Sequence, residues 1–246
     1  MIYINSVRYN GGIEKNSYLN GLSVIEHLKN EGNIEFTSPV TFFVGENGAG
    51  KSTLIEAIAV AFGFNPEGGN RNFSFNTNAT HSPLYKYLTL SKSAHARDGF
   101  FLRAESLYNA ATYIEELDEL PAASPAISES YGGASLHECS HGESFLAIVQ
   151  NRFAGNGVYI LDEPEAALAP SRQMTLLCEM KRLVENGSQF IISTHSPILM
   201  AYPDAEILEI TSDGIESIDY NSCEHVKLYR TFLSSPERMT RLLFEQ

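Results

Sequence analysis

Long apolar runs, paired cysteines and surplus positive charge are all missing from this chain of 246 residues. No stretch approaches the roughly 18 uninterrupted apolar residues that a membrane-spanning helix needs. The opening residues Met1-Ile2-Tyr3-Ile4-Asn5 alternate like a strand and lack the basic-then-apolar form of a signal peptide. The three cysteines, Cys139, Cys178 and Cys223, form no Cys-x-x-Cys. A disulfide frame and a zinc site of that kind are excluded, and a reducing, cytoplasmic setting is expected. Lysine and arginine number 17 against 30 acidic residues, a formal net charge of −13. Such a surface does not coat nucleic acid unspecifically, although a local basic patch is compatible with it. There is no internal repeat, heptad array or low-complexity tract. What is present is 43% apolar residues, enough to build the core of one α/β domain over 1–246.

Against that background one stretch stands out, Gly45-Glu46-Asn47-Gly48-Ala49-Gly50-Lys51-Ser52-Thr53. It fits the phosphate-binding P-loop pattern. Val40 to Val44 before it reads as a buried strand. Lys51 to Phe62 after it reads as a helix, apolar at 54, 55, 58, 61 and 62 and closed by Gly63. Glycines let backbone N–H groups wrap phosphates, and the helix N-terminus adds partial positive charge. Lys51 is expected on the β- and γ-phosphates and the Ser52 hydroxyl on Mg²⁺. A Gly-rich strand-to-helix turn that binds nothing is the bland alternative, and the strand–loop–helix context argues against it.

Three further clusters follow. Val158-Tyr159-Ile160-Leu161-Asp162-Glu163-Pro164 is an apolar strand ending in two carboxylates. Asp162 is expected to hold Mg²⁺ with Ser52, and Glu163 to act as general base or to orient the attacking water. Ile191-Ile192-Ser193-Thr194-His195-Ser196-Pro197 is a second buried strand with a polar end. A lone His there is usually structural; beside a P-loop, neutral His195 suits a γ-phosphate sensor. Ser140-His141-Gly142-Glu143-Ser144 opens a helix over 142–153, reading either as an ordinary N-cap or as an anion cradle.

The rest of the chain reads as strands at 1–9, 34–36, 85–91 and 99–103 and helices at 23–30, 104–120 and 171–186. A break covers 121–133, a loop rich in Asn, Gly and Ser covers 65–80, and a hairpin joins 205–210 to 215–219. A last helix follows the N-cap Ser235. Strands alternating with helices predict a largely parallel sheet with the P-loop at a strand's carboxyl end.

In order, P-loop, Ser-x-Gly-Glu, strand-Asp-Glu-Pro and strand-Ser-Thr-His resemble the ATP-binding-cassette ATPase superfamily. The segments 45–51 and Asp162-Glu163-Pro164-Glu165-Ala166-Ala167-Leu168 look most like its soluble branch, the AAA-type ATPases near the RecF and structural-maintenance-of-chromosomes heads. Residues 100–106 and 135–145 are similar to a small bacterial family within it. The resemblance implies a P-loop fold with a mostly parallel central sheet, an N-terminal antiparallel β subdomain and a helical, signature-bearing subregion at about 104–153. It also implies ATP and Mg²⁺ as cofactors. Two copies would sandwich two ATPs, each between one P-loop and the Ser140, Gly142 and Glu143 region of the other.

Three positions depart from that pattern. No glutamine occurs between Lys51 and Val149, so the Q-loop glutamine is missing and Arg103 or Glu105 is its candidate substitute. The Asp expected after Asp-Glu-Pro is replaced near Ala169. The span from Lys51 to Ser140 is too short for a long coiled-coil arm. The favoured function is an ATP-dependent dimeric switch or motor acting on nucleic acid or a separate effector, as in DNA repair or phage defence. The alternatives are the ATPase subunit of a membrane transporter, a P-loop kinase, and a non-hydrolysing nucleotide-dependent interaction protein. The missing glutamine speaks against the transporter, the Ser140 and His195 clusters against the kinase, and Glu163 against the last.

Overall fold

The computed structural model describes residues 1–70, 81–105 and 140–245. In chain order its elements begin with Ile4–Tyr9 (β1), Ser23–Glu31 (α1), Asn33–Glu35 (β2), Val40–Gly45 (β3), Lys51–Phe62 (α2), Leu88–Lys92 (β4) and Asp98–Arg103 (β5). They continue with His141–Arg152 (α3), Gly157–Asp162 (β6), Pro170–Glu185 (α4), Gln189–Ser193 (β7) and Pro197–Met200 (α5). Glu206–Thr211 (β8), Gly214–Ser217 (β9), Glu224–Ser234 (α6) and Pro236–Phe244 (α7) complete the chain. Residues 106–120 of the helix expected at 104–120, the break after it, the start of the signature segment and residues 71–80 of the expected loop lie outside the described residues.

Five strands, ordered β5-β6-β7-β3-β8, run parallel, and β9 closes the edge antiparallel to β8. Successive side chains on a strand face opposite sides. In β3, Phe42 and Val44 enter one core cluster while Phe43 enters the other. Tyr159 and Leu161 of β6 likewise face away from Val158 and Ile160. Both faces are therefore buried, which is why these strands read as continuous apolar runs. Phe145, Ile148 and Val149 of α3 and Leu176, Met180 and Leu183 of α4 cover the first face. The second is covered by α1, α2 and the antiparallel sheet β2-β1-β4. The fold is α/β, with a mostly parallel sheet and a separate antiparallel one, as the sequence predicts.

Two local expectations change. Residues 83–87 form a 3-10 turn and the strand starts only at Leu88, because Ser82 caps the turn through Leu84 N–H and Pro83 sits at its first position. The helix α6 has no counterpart in the sequence reading. It lacks a side-chain cap at Cys223 and buries only Val226, so its termini and stripe are weakly marked.

Candidate functional site

Parallel register alone gathers the site. Arg103 pairs with Asp162, Asp162 with Ser193, and Ser193 with Phe43, one row across the carboxyl ends of β5, β6, β7 and β3. The loop 45–50 leaves β3 two residues after that row. Gly45, Gly48 and Gly50 have φ of 138°, 85° and 98°. A Cβ on Gly45 would stand 2.4 Å from the Ile210 carbonyl oxygen, so only glycine lets the loop turn against β8. Glu46, Asn47 and Gly48 are exposed, whereas Lys51 is buried.

Lys51 Nζ donates to the carbonyls of Gly45 at 2.9 Å and Glu46 at 2.8 Å. Among the described residues it has no ion pair. Burial lowers its pKa, opposed by the carboxylates of Glu163, Asp162 and Glu165. A lysine satisfied by neutral carbonyls, and facing several carboxylates without touching one, keeps its charge free for an incoming phosphate. Its neighbours Ser52 and Thr53 are half-buried at the mouth of the helix.

Asp162 is buried, accepts the Ser193 hydroxyl at 2.5 Å and lies 3.4 Å from Arg103 Nε. Glu163 follows with left-handed backbone, φ 47° and ψ 55°, its N–H held by the Ser193 carbonyl and hydroxyl, both at 3.1 Å. Burial and the adjacent Asp162 raise the Glu163 pKa, against the pull of Lys51. His195 Nε2 stands 3.8 Å from Glu163 Oε1. Burial first, then Lys51 and His225, lowers the His195 pKa to about 4, so the ring is neutral at pH 7. Single Asp and Ser ligands suit Mg²⁺, which keeps waters and leans on substrate phosphates.

Several residues of this site carry no motif signal. Glu165 accepts from Thr194 Oγ1 at 2.8 Å and from the His195 N–H, clamping the turn that presents His195. Gln173 accepts the Ser196 hydroxyl at 2.5 Å. His225 Nε2 lies 3.0 Å from His195 Nδ1. Only Glu165 had a visible clue, its place directly after Asp-Glu-Pro. Arg103, expected as a Q-loop substitute, points inward and pairs with Glu56 at 2.7 Å. Its partner candidate Glu105 is exposed, 3.9 Å from the same guanidinium.

Ser140, Gly142 and Glu143 form a second group. The Glu143 carboxylate accepts the Ser140 N–H at 2.9 Å and hydroxyl at 2.7 Å. Arg172 donates to Ser140 Oγ at 3.0 Å and Glu143 at 2.9 Å. These contacts, the Ser140 hydrogen bonds foremost, lower the Glu143 pKa to about 2. A Cβ on Gly142 would sit 2.8 Å from both the Ala167 carbonyl and Arg172 Nη1. Gly142 is buried for that reason, while Ser140, His141 and Glu143 stay exposed. Among the described residues no hydrogen bond joins this group to the P-loop cluster.

Comparison with known proteins places the chain among nucleotide-binding folds. A family model described as "AAA domain" matches residues 19–118, and one described as "AAA domain, putative AbiEii toxin, Type IV TA system" matches 134–201. Together they span the P-loop and both carboxyl-end clusters. The two matched stretches are similar to AAA-type domains, and the relatives that follow are ATP-binding-cassette proteins. The chain is similar to the "Uncharacterized ABC transporter ATP-binding protein" of Haemophilus influenzae, 25% identical, covering 88% of this chain and 86% of that one. It is 28% identical to the "Nucleoside import ATP-binding protein NupA" of Lactococcus lactis, covering 62% of this chain and about a third (32%) of the relative. A solved ATP-binding cassette of an ABC transporter shares the fold, with TM-score 0.53 and 17% identity over 93% of this chain and 99% of that one. Members of these families generally hydrolyse ATP.

Proposed function

We propose that this chain, read as one domain over 1–246, binds ATP with Mg²⁺ and hydrolyses it at the P-loop, cycling between an ATP-held dimer and free copies in the cytoplasm. The observation that carries the reading is the row of β5, β6, β7 and β3 carboxyl ends, which puts Asp162, Glu163 and His195 beside Lys51. Residues 45–53 cradle the phosphates. Ser52 and Asp162 hold Mg²⁺, whose chemistry when bound is to neutralise charge on the phosphate oxygens. Glu163 receives the proton of the attacking water, and its raised pKa suits a group that must hold that proton briefly. His195, neutral, donates toward the γ-phosphate and keeps Glu163 oriented.

Exposure of Ser140, His141 and Glu143 supports their use by a second copy, completing the partner's site. The target is then a nucleic acid or a separate effector chain, as repair or defence systems require. Glu163→Gln tests the chemistry: ATP affinity by calorimetry should persist while hydrolysis falls roughly 10²–10⁴-fold. Unchanged turnover would overturn the assignment.

The names of the two curated relatives favour a second reading, the ATPase subunit of a membrane transporter. The inward pairing of Arg103 with Glu56 and Asp162 weighs against it, since a residue so engaged does not reach a membrane partner. A permease recovered with the tagged chain from detergent-solubilised membranes would favour the transporter. Turnover stimulated by added DNA or RNA would favour the switch.

A further inference from the structure

Among the described residues, His195 Nε2 and His225 Nδ1 are both buried without a hydrogen-bond partner, while the other two ring nitrogens face each other at 3.0 Å. Two imidazole nitrogens 3.0 Å apart share one proton between them, so one ring donates and the other accepts. Suppose His195 donated from Nδ1. Its bare Nε2 lone pair would then face Glu163 Oε1 at 3.8 Å, and His225 would bury an N–H with no acceptor. In the reverse arrangement His225 donates from Nε2, and the His195 Nε2–H faces the Glu163 carboxylate. Electrostatics favours the second strongly, because a donor replaces a lone pair opposite negative charge.

We propose that His225 is a positioning residue that fixes His195 as its Nε2–H tautomer, aiming the one donor of that ring at the reacting phosphate. The inference rests on the reading of His195 given above and extends it to a residue on another element. The fold around His225 is built to hold it still. Cys223 and Val226 on either side are buried in the core, Cys223 Sγ lies 3.8 Å from Met200 Sδ, and the Tyr220 hydroxyl donates to the Pro197 carbonyl at 3.1 Å. Those partners begin and end α5, the helix directly after the His195 turn. His225 and Glu224 also line a cavity of about 420 Å³ with Gly45, Glu46, Asn47 and Gly48, so the first turn of α6 faces the P-loop across open space. A second histidine thus reaches the site from a helix that carries no motif.

Nitrogen NMR of the full chain with ¹⁵N-labelled histidine reads the tautomer without any need for turnover. Wild type should show His195 protonated at Nε2 and bare at Nδ1. His225→Phe keeps a ring but no donor. It should give a mixture of His195 tautomers and a fall in kcat of roughly five- to tenfold, with KM for ATP little changed. His225→Gln returns an N–H at similar reach and should restore both the tautomer and most of kcat. Wild-type His195 protonated at Nδ1 would overturn the proposal, and so would a His225→Phe protein with unaltered tautomer and kcat. If wild type hydrolysed no ATP, the ATPase reading would fall while the tautomer measurement still judged the histidine pair.

Discussion

Glu163 holds a backbone conformation that its side-chain type rarely adopts, at a cost of about 1–2 kcal/mol relative to ordinary helical or extended backbone. Ser193 offsets part of that cost by accepting the Glu163 N–H through both its carbonyl and its hydroxyl. The left-handed turn lifts Glu163 off the strand that delivers Asp162, so adjacent carboxylates serve different ends. Burial and Asp162 raise the Glu163 pKa above the ordinary 4.5. The sign follows: the base form exists above the raised value and is lost as pH falls through it. The acid limb of kcat/KM, which reports the free protein, should therefore lie above the usual glutamate range and vanish in Glu163→Gln. A limb at or below that range would assign the base elsewhere. Asp162, Glu163 and His195 were legible in the sequence because each ends an apolar strand. Gln173 and His225 were not, since their partners lie 23 and 30 positions away and only folding brings them into contact.

Strands and helices with strong periodicity were equally legible: the helix read at Lys51–Phe62 has those bounds, and the parallel order follows from alternation of the two element types. How the antiparallel sheet joins the central one was not. One side chain at the start of β7 makes that link. Gln189, fully buried, accepts the N–H groups of Tyr3 and Ile4, each at 2.8 Å, and donates to the Ile4 carbonyl at 3.0 Å. A glutamine in a strand carries no signal for such a role. Gln189→Leu keeps the volume and strands those backbone groups, each worth about 1–3 kcal/mol when left unpaired. A loss of at least about 2 kcal/mol is expected, or roughly 4–8 °C in Tm for a chain of this size. Thermal unfolding followed by circular dichroism measures it; an unshifted Tm would mean the two sheets are held by apolar packing alone.

For the whole molecule, the charge of −13 opposes association of two copies, and ATP adds more of the same sign. Any ATP-held dimer must therefore gain from local contacts that the net field resists. The Ser140 group fits that need. Ser140, His141 and Glu143 are exposed, and Arg172 orders Ser140 and Glu143. Glu163→Gln, by slowing turnover, should accumulate the dimer with saturating ATP, and moderate salt should strengthen it by screening the repulsion. Adding Ser140→Arg should abolish that dimer by filling the cradle for the partner's phosphate, while leaving ATP bound to single copies. Size-exclusion chromatography with light scattering separates the outcomes, and calorimetry confirms that nucleotide still binds. A Glu163→Gln protein that stays monomeric at micromolar concentration would sink the sandwich. A dimer indifferent to ATP and to Ser140 would instead point to the C-terminal helices, where Leu233, Leu243 and Phe244 stand exposed. Salt decides between these surfaces as well. Screening favours both, but only contact through the Ser140 group makes the salt response depend on nucleotide.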